Sequence, residues 1–542
     1  MMKASRLSRF IENRNYDDRL ARELIHGTGW MIFLPSVNPS SFCIGFSDGK
    51  ERWILLKSRE QCLLKSVLLA LSTLLFFSCS TPETNQQDNQ ATKPNILLII
   101  ADDMGYADLG CFGGKANTPN LDELAQNGIK FTNFYAAAPN CSPSRAGLMT
   151  GISPSILGMY NYRPPKHPMH LLDKEVTIAE MLHEQGYQTG HFGKWHLGAL
   201  ADEEFDHPQP IDQGFSYSLG TENNAQPSHL NPVNFIRNGV KIREQKGYSC
   251  QLVANEAISW LDTIYREDNP FFMYVAFHEP HAKVASPPEL VAKYPEFPPK
   301  DAEYLANIEN LDLAVGKLLT RLKANNQFDN TLIIFSSDNG SYRQASNGAL
   351  KAKKSFVYEG GIRVPGIINW TNKLQSGQTI EEAAGFVDIF PTLAEIVNAK
   401  VESKERLDGT SIWPLLKGED FKREKPLYWF FYRTTPEMAL RTDNKVVLGF
   451  SDDTLTLSHQ FVSPDMDYIR NMRFTRYELY DLEEDISQQK NIFQSDNEAQ
   501  NFQKSIEQQL NQIQERGHYW KKLPPDKPAK QKKQKKDWVR LK

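Results

Sequence analysis

Short apolar runs alternate along the chain with longer stretches in which apolar positions recur every three or four residues. Asn95 to Ile100 is an apolar run, as expected of a parallel strand buried on both faces. Leu121 to Asn127 has helical spacing and is stopped by Gly128; Val176 to Gln185 does the same before Gly186. A strand over Gln188 to Phe192 follows. Helix Val253 to Tyr265 precedes strand Phe271 to Phe277, and helix Ile308 to Asn325 precedes strand Leu332 to Ser336. This alternation predicts an α/β fold with a large, mostly parallel central sheet flanked by helices.

From about Leu407 the texture changes to short aromatic and charged stretches, such as Lys425 to Arg433 and Arg476 to Tyr480. They predict a smaller antiparallel sheet with a closing helix over Ala499 to Arg516. The expected organisation is a main domain over 93–405, a C-terminal subdomain over 406–520 and a tail over 521–542. That tail carries ten basic and two acidic residues and reads as a solvated, disordered end. There are no internal repeats.

Ahead of the main domain, the chain from Lys65 reads KSVLLALSTLLFFSCS. A positive charge, an apolar run too short to span a bilayer and a small residue before Cys79 fit a signal segment over 63–79. Its FFSC ending resembles a lipoprotein cleavage box, with Cys79 as the candidate lipidation site. Residues 80–92 are polar and read as a tether. The expected location is outside the cytoplasm, in a periplasm or at a cell surface, with a lipid anchor through Cys79. Residues 1–62 sit oddly before such a segment, and no methionine lies between Met31 and Met104. Translation is therefore expected to start near Leu63 or Leu64; the alternative is a genuine N-terminal extension.

Composition narrows the class. The 542 residues are 40% hydrophobic and 24% charged, with net charge −4 and pI near 6.3. Nothing global points to nucleic acid or a membrane surface. The six cysteines, at 43, 62, 79, 111, 141 and 250, form no CxxC pair. Only Cys111, Cys141 and Cys250 fall in the predicted folded part. Their odd number leaves at least one free or modified.

Four predicted strands end in polar clusters: Ala101-Asp102-Asp103, Gly193-Lys194-Trp195-His196, His278-Glu279-Pro280-His281 and Asp338-Asn339-Gly340. Ligands of parallel sheets sit outside the carboxyl ends of strands, so these segments can converge on one crevice. Asp102, Asp103, Asp338 and Asn339 offer hard oxygen ligands, which suit calcium or magnesium rather than zinc. In Cys141-Ser-Pro-Ser-Arg145, Pro143 suits the first turn of a helix. Cys141 then sits at a helix N-terminus, which favours an anion, and Arg145 can reach back to it.

Cys141-Ser-Pro-Ser-Arg145, continuing Ala-Gly-Leu-Met-Thr-Gly151, resembles the signature of type I sulfatases of the alkaline phosphatase superfamily. Gly186-Tyr-Gln-Thr-Gly-His-Phe-Gly-Lys194-Trp-His196, Thr118-Pro-Asn-Leu-Asp122, Glu359-Gly-Gly-Ile-Arg-Val-Pro365 and Leu407-Asp-Gly-Thr-Ser-Ile-Trp-Pro-Leu-Leu416 resemble further family segments. Phe192, where a smaller residue is usual, and Asn140 before the cysteine depart from the pattern. The resemblance implies an alkaline phosphatase-like fold. It implies that a formylglycine-generating enzyme, reading Cys-x-Pro-x-Arg, oxidises Cys141 to formylglycine (3-oxoalanine). Asp102, Asp103, Asp338, Asn339 and the modified Cys141 would hold calcium, with magnesium the alternative. Arg145 and Lys194 match groups that hold the formylglycine and the sulfate. His196 matches a histidine beside the formylglycine, His281 the catalytic histidine, and Lys354 the substrate lysine. Lys351 and Lys353 crowd that last position.

These roles suit sulfate ester hydrolysis. An aldehyde hydrate offers one hydroxyl to attack sulfur and a second whose deprotonation expels sulfate, which unmodified cysteine cannot do. Two polar loops, Gly220 to Pro232 and Tyr160 to His167, suit a sugar over an aryl group. The expected substrate is therefore a sulfated polysaccharide, an algal one such as ulvan first, with glycosaminoglycans and mucin glycans next. Two rivals stand: a formylglycine-dependent phosphonate or phosphodiester hydrolase, and an inactive glycan-binding homologue.

Overall fold

The computed structural model describes residues 93–524 apart from 203, 264–268, 403, 433–435 and 452–460. The expectations for the extension, the signal segment with Cys79, the tether and most of the basic tail lie outside the described residues.

Strands β1 (Asn95–Asp102), β2 (Ile129–Tyr135), β3 (Gln188–Lys194), β4 (Tyr217–Thr221), β5 (Ile236–Arg237), β6 (Val240–Lys241), β7 (Phe271–Pro280), β8 (Thr331–Ser337), β9 (Arg363–Asn369), β10 (Gln378–Ile380) and β11 (Ala384–Gly385) form one sheet. Its order is β10-β2-β9-β8-β1-β7-β3-β4-β5-β6, with β11 also on β2. β8, β1, β7, β3 and β4 run parallel, with Leu97 opposite Met273 and Ile333. β9 is antiparallel to both β8 and β2, which makes β2 point the same way as the central strands.

The continuous apolar run of β1 is read by two layers. Ile96, Leu98 and Ile100 join one hydrophobic cluster, while Leu97, Ile99 and Ala101 join the other. Alternation along a strand sends neighbours to opposite faces, so a strand covered on both must be apolar throughout. On one face lie α1 (Pro119–Gln126), α4 (Ser249–Thr263) and α5 (Pro299–Ala324). On the other lie α2 (Cys141–Thr150), α3 (Ile178–Glu184) and α6 (Phe386–Ile396). The same face carries an antiparallel sheet of β12 (Leu427–Tyr432), β13 (Pro436–Thr442), β14 (Lys445–Phe450) and β15 (Arg476–Asp481), and the helix α7 (Ala499–Arg516).

Several boundaries differ from expectation, three of them for clear local reasons. α3 starts at Ile178 because Thr177 caps it in a reciprocal box with Glu180, leaving Val176 outside and exposed. α5 starts at Pro299, nine residues before Ile308, because proline suits the first turn and needs no apolar periodicity there. β7 runs on through Pro280, so His278 and Glu279 belong to the strand rather than to a loop. Phe192 is fully buried between Trp260 and Tyr217, which accounts for a bulky residue there.

Because β1, β3, β7 and β8 are parallel, all four polar clusters emerge at one edge of the sheet. β2 ends at that edge too, so the loop into α2 and Cys141 starts there. The antiparallel β9 begins there, which brings its preceding segment, with Lys354, to the same place.

Candidate active site

Cys141 is the first residue of α2, and Asn140 is its N-cap: the Asn140 Oδ1 accepts from the Cys141 amide at 3.0 Å. Asn140 also donates to Ser355 Oγ at 3.2 Å, and the Ser355 amide donates to Pro139 O at 2.8 Å. The departure at Asn140 thus ties the turn at Cys141 to the segment carrying Lys354. Pro143 sits in the first turn, where its missing N–H would have no helical partner. All ten residues of α2 are buried, so the site stands on an immobilised helix.

Around Cys141 Sγ lie Asp102 Oδ1 at 3.5 Å, Asp103 Oδ1 at 3.8 Å and Lys354 Nζ at 3.1 Å. Lys354 also meets Asp103 Oδ1 at 2.5 Å. Lys194 pairs with Asp102 Oδ2 at 2.7 Å, and both side chains are fully buried. Arg145 spends its Nε and one terminal nitrogen on Asp338 Oδ2, at 2.9 and 2.7 Å, and the other terminal nitrogen on Lys194 O at 2.9 Å. The structure therefore places Arg145 as the brace of Asp338 and of the end of β3. Of the three crowded lysines, Lys354 reaches the cluster, while Lys351 turns away to Tyr480 Oη and Gln488 O, both at 3.0 Å.

The histidines separate. His281 Nε2 lies 3.4 Å from Asp103 Oδ2 with its side chain 20% exposed, so it faces both the cluster and the mouth. His278 is fully buried and shares a hydrogen bond with Thr221 Oγ1 at 2.8 Å. His196 is buried in a left-handed backbone conformation, φ 59°. Its Nε2 bonds to the Arg163 carbonyl at 2.9 Å; a carbonyl only accepts, so Nε2 carries the hydrogen. Nδ1 then holds the lone pair of a neutral ring, and it is buried without a hydrogen-bond partner among the described residues. Burial, then the charge of Lys194, pushes the His196 pKa well below its ordinary value, which keeps that lone pair free.

Electrostatics decide what the cysteine can do unmodified. Burial, reinforced by Asp338, drives the Cys141 thiol far above its ordinary pKa. A buried neutral thiol is a poor nucleophile. Burial would raise Asp102, but Lys194, His281, Arg145 and Lys354 hold it well below the usual range, so it stays ionised. Asp338 is pushed up to about 6 by burial and by the neighbouring Asp102 charge.

A cation fits this donor set. Ligand atoms of Asp102, Asp103, Cys141 and His281 all lie within 4.8 Å of one another. Asn339 Nδ2 donates to Asp103 Oδ1 at 2.7 Å, which aims the amide so that its Oδ1 is left buried with no hydrogen-bond partner among the described residues. A buried acceptor without a partner costs free energy unless something binds it. Carboxylate and amide oxygens are the ligands of a hard divalent ion.

The residues missed from sequence are Arg163, Glu222 and Asn224. Asn224 Oδ1 accepts from Lys194 at 3.4 Å, and Arg163 pairs with Glu222 at 2.5 Å. All three lie in the two polar loops singled out by composition; their pairing across 59 residues leaves no local signal.

The chain also resembles known proteins. Residues 94–399 match the sulfatase family model, and 351–516 match the model for the C-terminal part of N-sulphoglucosamine sulphohydrolase. The chain is 34% identical to human (Homo sapiens) arylsulfatase A over 440 residues, covering 74% of this chain and 84% of that one. It is 31% identical to the N-acetylgalactosamine-6-sulfatase of Mus musculus over 409 residues, covering 69% and 74%. Among solved structures, Ps i-CgsB in complex with k-i-k-neocarrahexaose superposes with TM-score 0.67 at 30% identity, covering 79% of this chain and 95% of that one. The chain belongs to the sulfatase family, and it is a sulfuric ester hydrolase.

Proposed function

We propose that this enzyme removes sulfate ester groups from a sulfated glycan, using a formylglycine made from Cys141 and a bound calcium ion. The observation that carries the proposal is the buried cluster of Cys141, Asp102, Asp103, Asn339 and Lys354, whose burial disfavours the thiolate. Asp102, Asp103, Asp338, Asn339 and the modified residue would hold the calcium. When bound, that ion supplies positive charge that favours the ionised hydrate hydroxyl and the developing charge on the sulfate oxygens.

The chain's own groups do the rest. Lys354 and Lys194 stabilise charge on the sulfate oxygens. One hydroxyl of the hydrated residue, ionised beforehand by loss of its proton to water, attacks sulfur, the S–O bond to the sugar breaks, and His281 protonates the departing sugar oxygen. The residue is now a sulfated hydrate. His196 Nδ1 takes the proton of the remaining hydroxyl, the C–O bond to sulfate breaks, and the aldehyde reforms as sulfate leaves.

A glycan substrate is supported by the polar loops and by two relatives, one named for an amino-sugar sulfate and one crystallised with an oligosaccharide. An algal polymer such as ulvan is our first candidate. The leader-like segment before residue 93 supports an exported, lipid-anchored enzyme with Cys79 as the acceptor. The test is mass spectrometry of the Cys141 peptide, after expression with a formylglycine-generating enzyme, joined to sulfate release from sulfated oligosaccharides. Conversion to the aldehyde with sulfate release is expected, and Cys141→Ala should abolish release. Substantial activity in that variant would refute the mechanism. Faster turnover of phosphodiesters would favour the rival hydrolase.

A further inference from the structure

His196 sits inside a closed ring of contacts. Its amide donates to Glu222 O at 2.8 Å, and its Nε2 donates to Arg163 O at 2.9 Å. Arg163 and Glu222 are themselves joined by the 2.5 Å pair between a guanidinium nitrogen and Oε1. The Arg163 amide donates to Ser142 Oγ at 2.6 Å, so the ring is anchored to the residue after Cys141. His196 is non-glycine with φ 59°, a conformation that persists only when its surroundings impose it. The ring is what imposes it.

Among the described residues the clasp is also the sole hydrogen-bonded support of the Arg163 guanidinium: Nε and the second terminal nitrogen are buried without hydrogen-bond partners there. The Arg163 side chain is 0% exposed, whereas Glu222 is 24% exposed on the polar loop at the crevice. A buried cation with one anionic partner holds that partner tightly, because losing it leaves the charge uncompensated. Two loops of different sequence origin are thereby locked across one imidazole.

We propose that Arg163 and Glu222 are positioning residues for His196, and that their ion pair sets the rate at which sulfate leaves the enzyme rather than the rate at which the substrate is bound. This rests on the formylglycine mechanism above. In the step concerned, the second hydroxyl of the sulfated hydrate gives its proton to His196 Nδ1, the carbon–oxygen bond to sulfate breaks, and the aldehyde forms. If the clasp loosens, Nδ1 is misdirected and the sulfated form accumulates.

The test is Glu222→Gln, with Glu222→Asp as the conservative variant, in full-length enzyme carrying formylglycine. Turnover of 4-nitrophenyl sulfate and the mass of the Cys141 peptide after rapid acid quench are the readouts. For Glu222→Gln, kcat should fall about 10- to 100-fold and KM should fall with it, leaving kcat/KM within about threefold, the pattern of a slowed second step and the range of a misplaced general base. The quenched peptide should carry an added sulfo group, about 80 Da, that the wild type lacks. Glu222→Asp should recover most of kcat and lose the added mass. A loss confined to KM, or a fall in kcat without the sulfated peptide, overturns the proposal and makes Arg163 a binding or framework residue. If Glu222→Gln does not fold, Arg163→Lys is measured the same way, and failure of both to fold equally overturns it. A wild-type peptide without formylglycine, in active enzyme, removes the mechanism itself and is seen before any variant is made.

Discussion

At the scale of single residues, the three lysines beside the cluster differ in where the backbone sends them. Lys351, Lys353 and Lys354 are equivalent in composition. The backbone separates them: Ala352 and Ser355 adopt left-handed φ values of 63° and 78°, and Lys354 between them reaches Asp103 and Cys141. Lys351 instead lies over the rings of Tyr358 and Tyr480. Lys354→Ala should therefore lower kcat about 100-fold, as loss of one charge-stabilising group does. Lys351→Met should leave kcat within about threefold and cost about 1 kcal/mol of stability, through lost cation–π and hydrogen-bond contacts. Steady-state kinetics and denaturant melts of the pair decide this; a reversed pattern would exchange the two roles. Asn339 makes a companion case. Its unpartnered Oδ1 was invisible in sequence, because only the fold shows that Asp103 holds the amide in place. Asn339→Leu should keep the fold yet weaken calcium. In wild type, we expect EDTA to lower Tm and calcium to restore it; in the variant the calcium-dependent part of Tm should shrink severalfold.

Among elements, the strands that end in chemistry were legible because a strand covered on both faces must be continuously apolar. β2, β9 and the β13–β14 hairpin were not marked out. β9 carries Pro365 and Gly366 in its middle, and β2 alternates Lys130, Thr132 and Asn133 with apolar residues, so neither presents a clean run. Yet β9, by running antiparallel, is the strand that brings Lys354 to the site. Element-level packing also fixes two testable positions in β3. Gly193 has φ 108°, and a Cβ there would lie 1.9 Å from Ala276 O on β7. Gly193→Ala should thus prevent accumulation of folded enzyme, since both the backbone and the strand pairing would have to shift; a variant that melts within a few degrees of wild type would contradict this. Two residues earlier, His191 is fully buried with Nδ1 on Ser218 Oγ at 2.9 Å. Burial lowers its pKa to about 3. The folded state keeps this ring neutral while the unfolded chain takes up a proton below about 6.5. Its contribution is therefore intact above about pH 6.5 and is lost as pH falls toward 3, with a slope of roughly 1.4 kcal/mol per pH unit. His191→Phe should flatten the acid side of the stability–pH curve by about one proton; an unchanged slope would contradict the assignment.

The whole molecule raises a different matter, because the change in texture near Leu407 suggests a separable C-terminal part, while the packing joins it to the catalytic sheet. Trp429 donates through Nε1 to Ala136 O at 2.7 Å, on the loop before Cys141. The Tyr432 amide donates to Tyr160 O at 2.9 Å. From the other side, Glu437 and Gln488 accept from the amides of Val357 and Glu359, both at 2.9 Å, just after Lys354. Trp429, Phe431, Leu440, Val447, Ile506 and Leu510 share one hydrophobic cluster with Ile96, Phe131, Leu148 and Phe272. Fully burying side chains of this size contributes about 1.5–3 kcal/mol each, and net stability is only about 5–15 kcal/mol. Exposing even a handful of them therefore exceeds the stability of the remainder. A chain ended at residue 405 should be recovered only as aggregate or as a compact state without fixed packing. The full-length enzyme should melt in one calorimetric transition, with the C-terminal helix α7 and the catalytic sheet lost together. Calorimetry, followed by hydrogen exchange of peptides from α7 and from β1, measures this directly. Two resolved transitions, or exchange of α7 well before β1, would mean that the cluster is divided and that the site can survive loss of the C-terminal sheet. A single transition would mean that the loops flanking Cys141 and Lys354 are gripped by the C-terminal sheet, so substitutions there, far from the reacting atoms, should lower activity and stability in step.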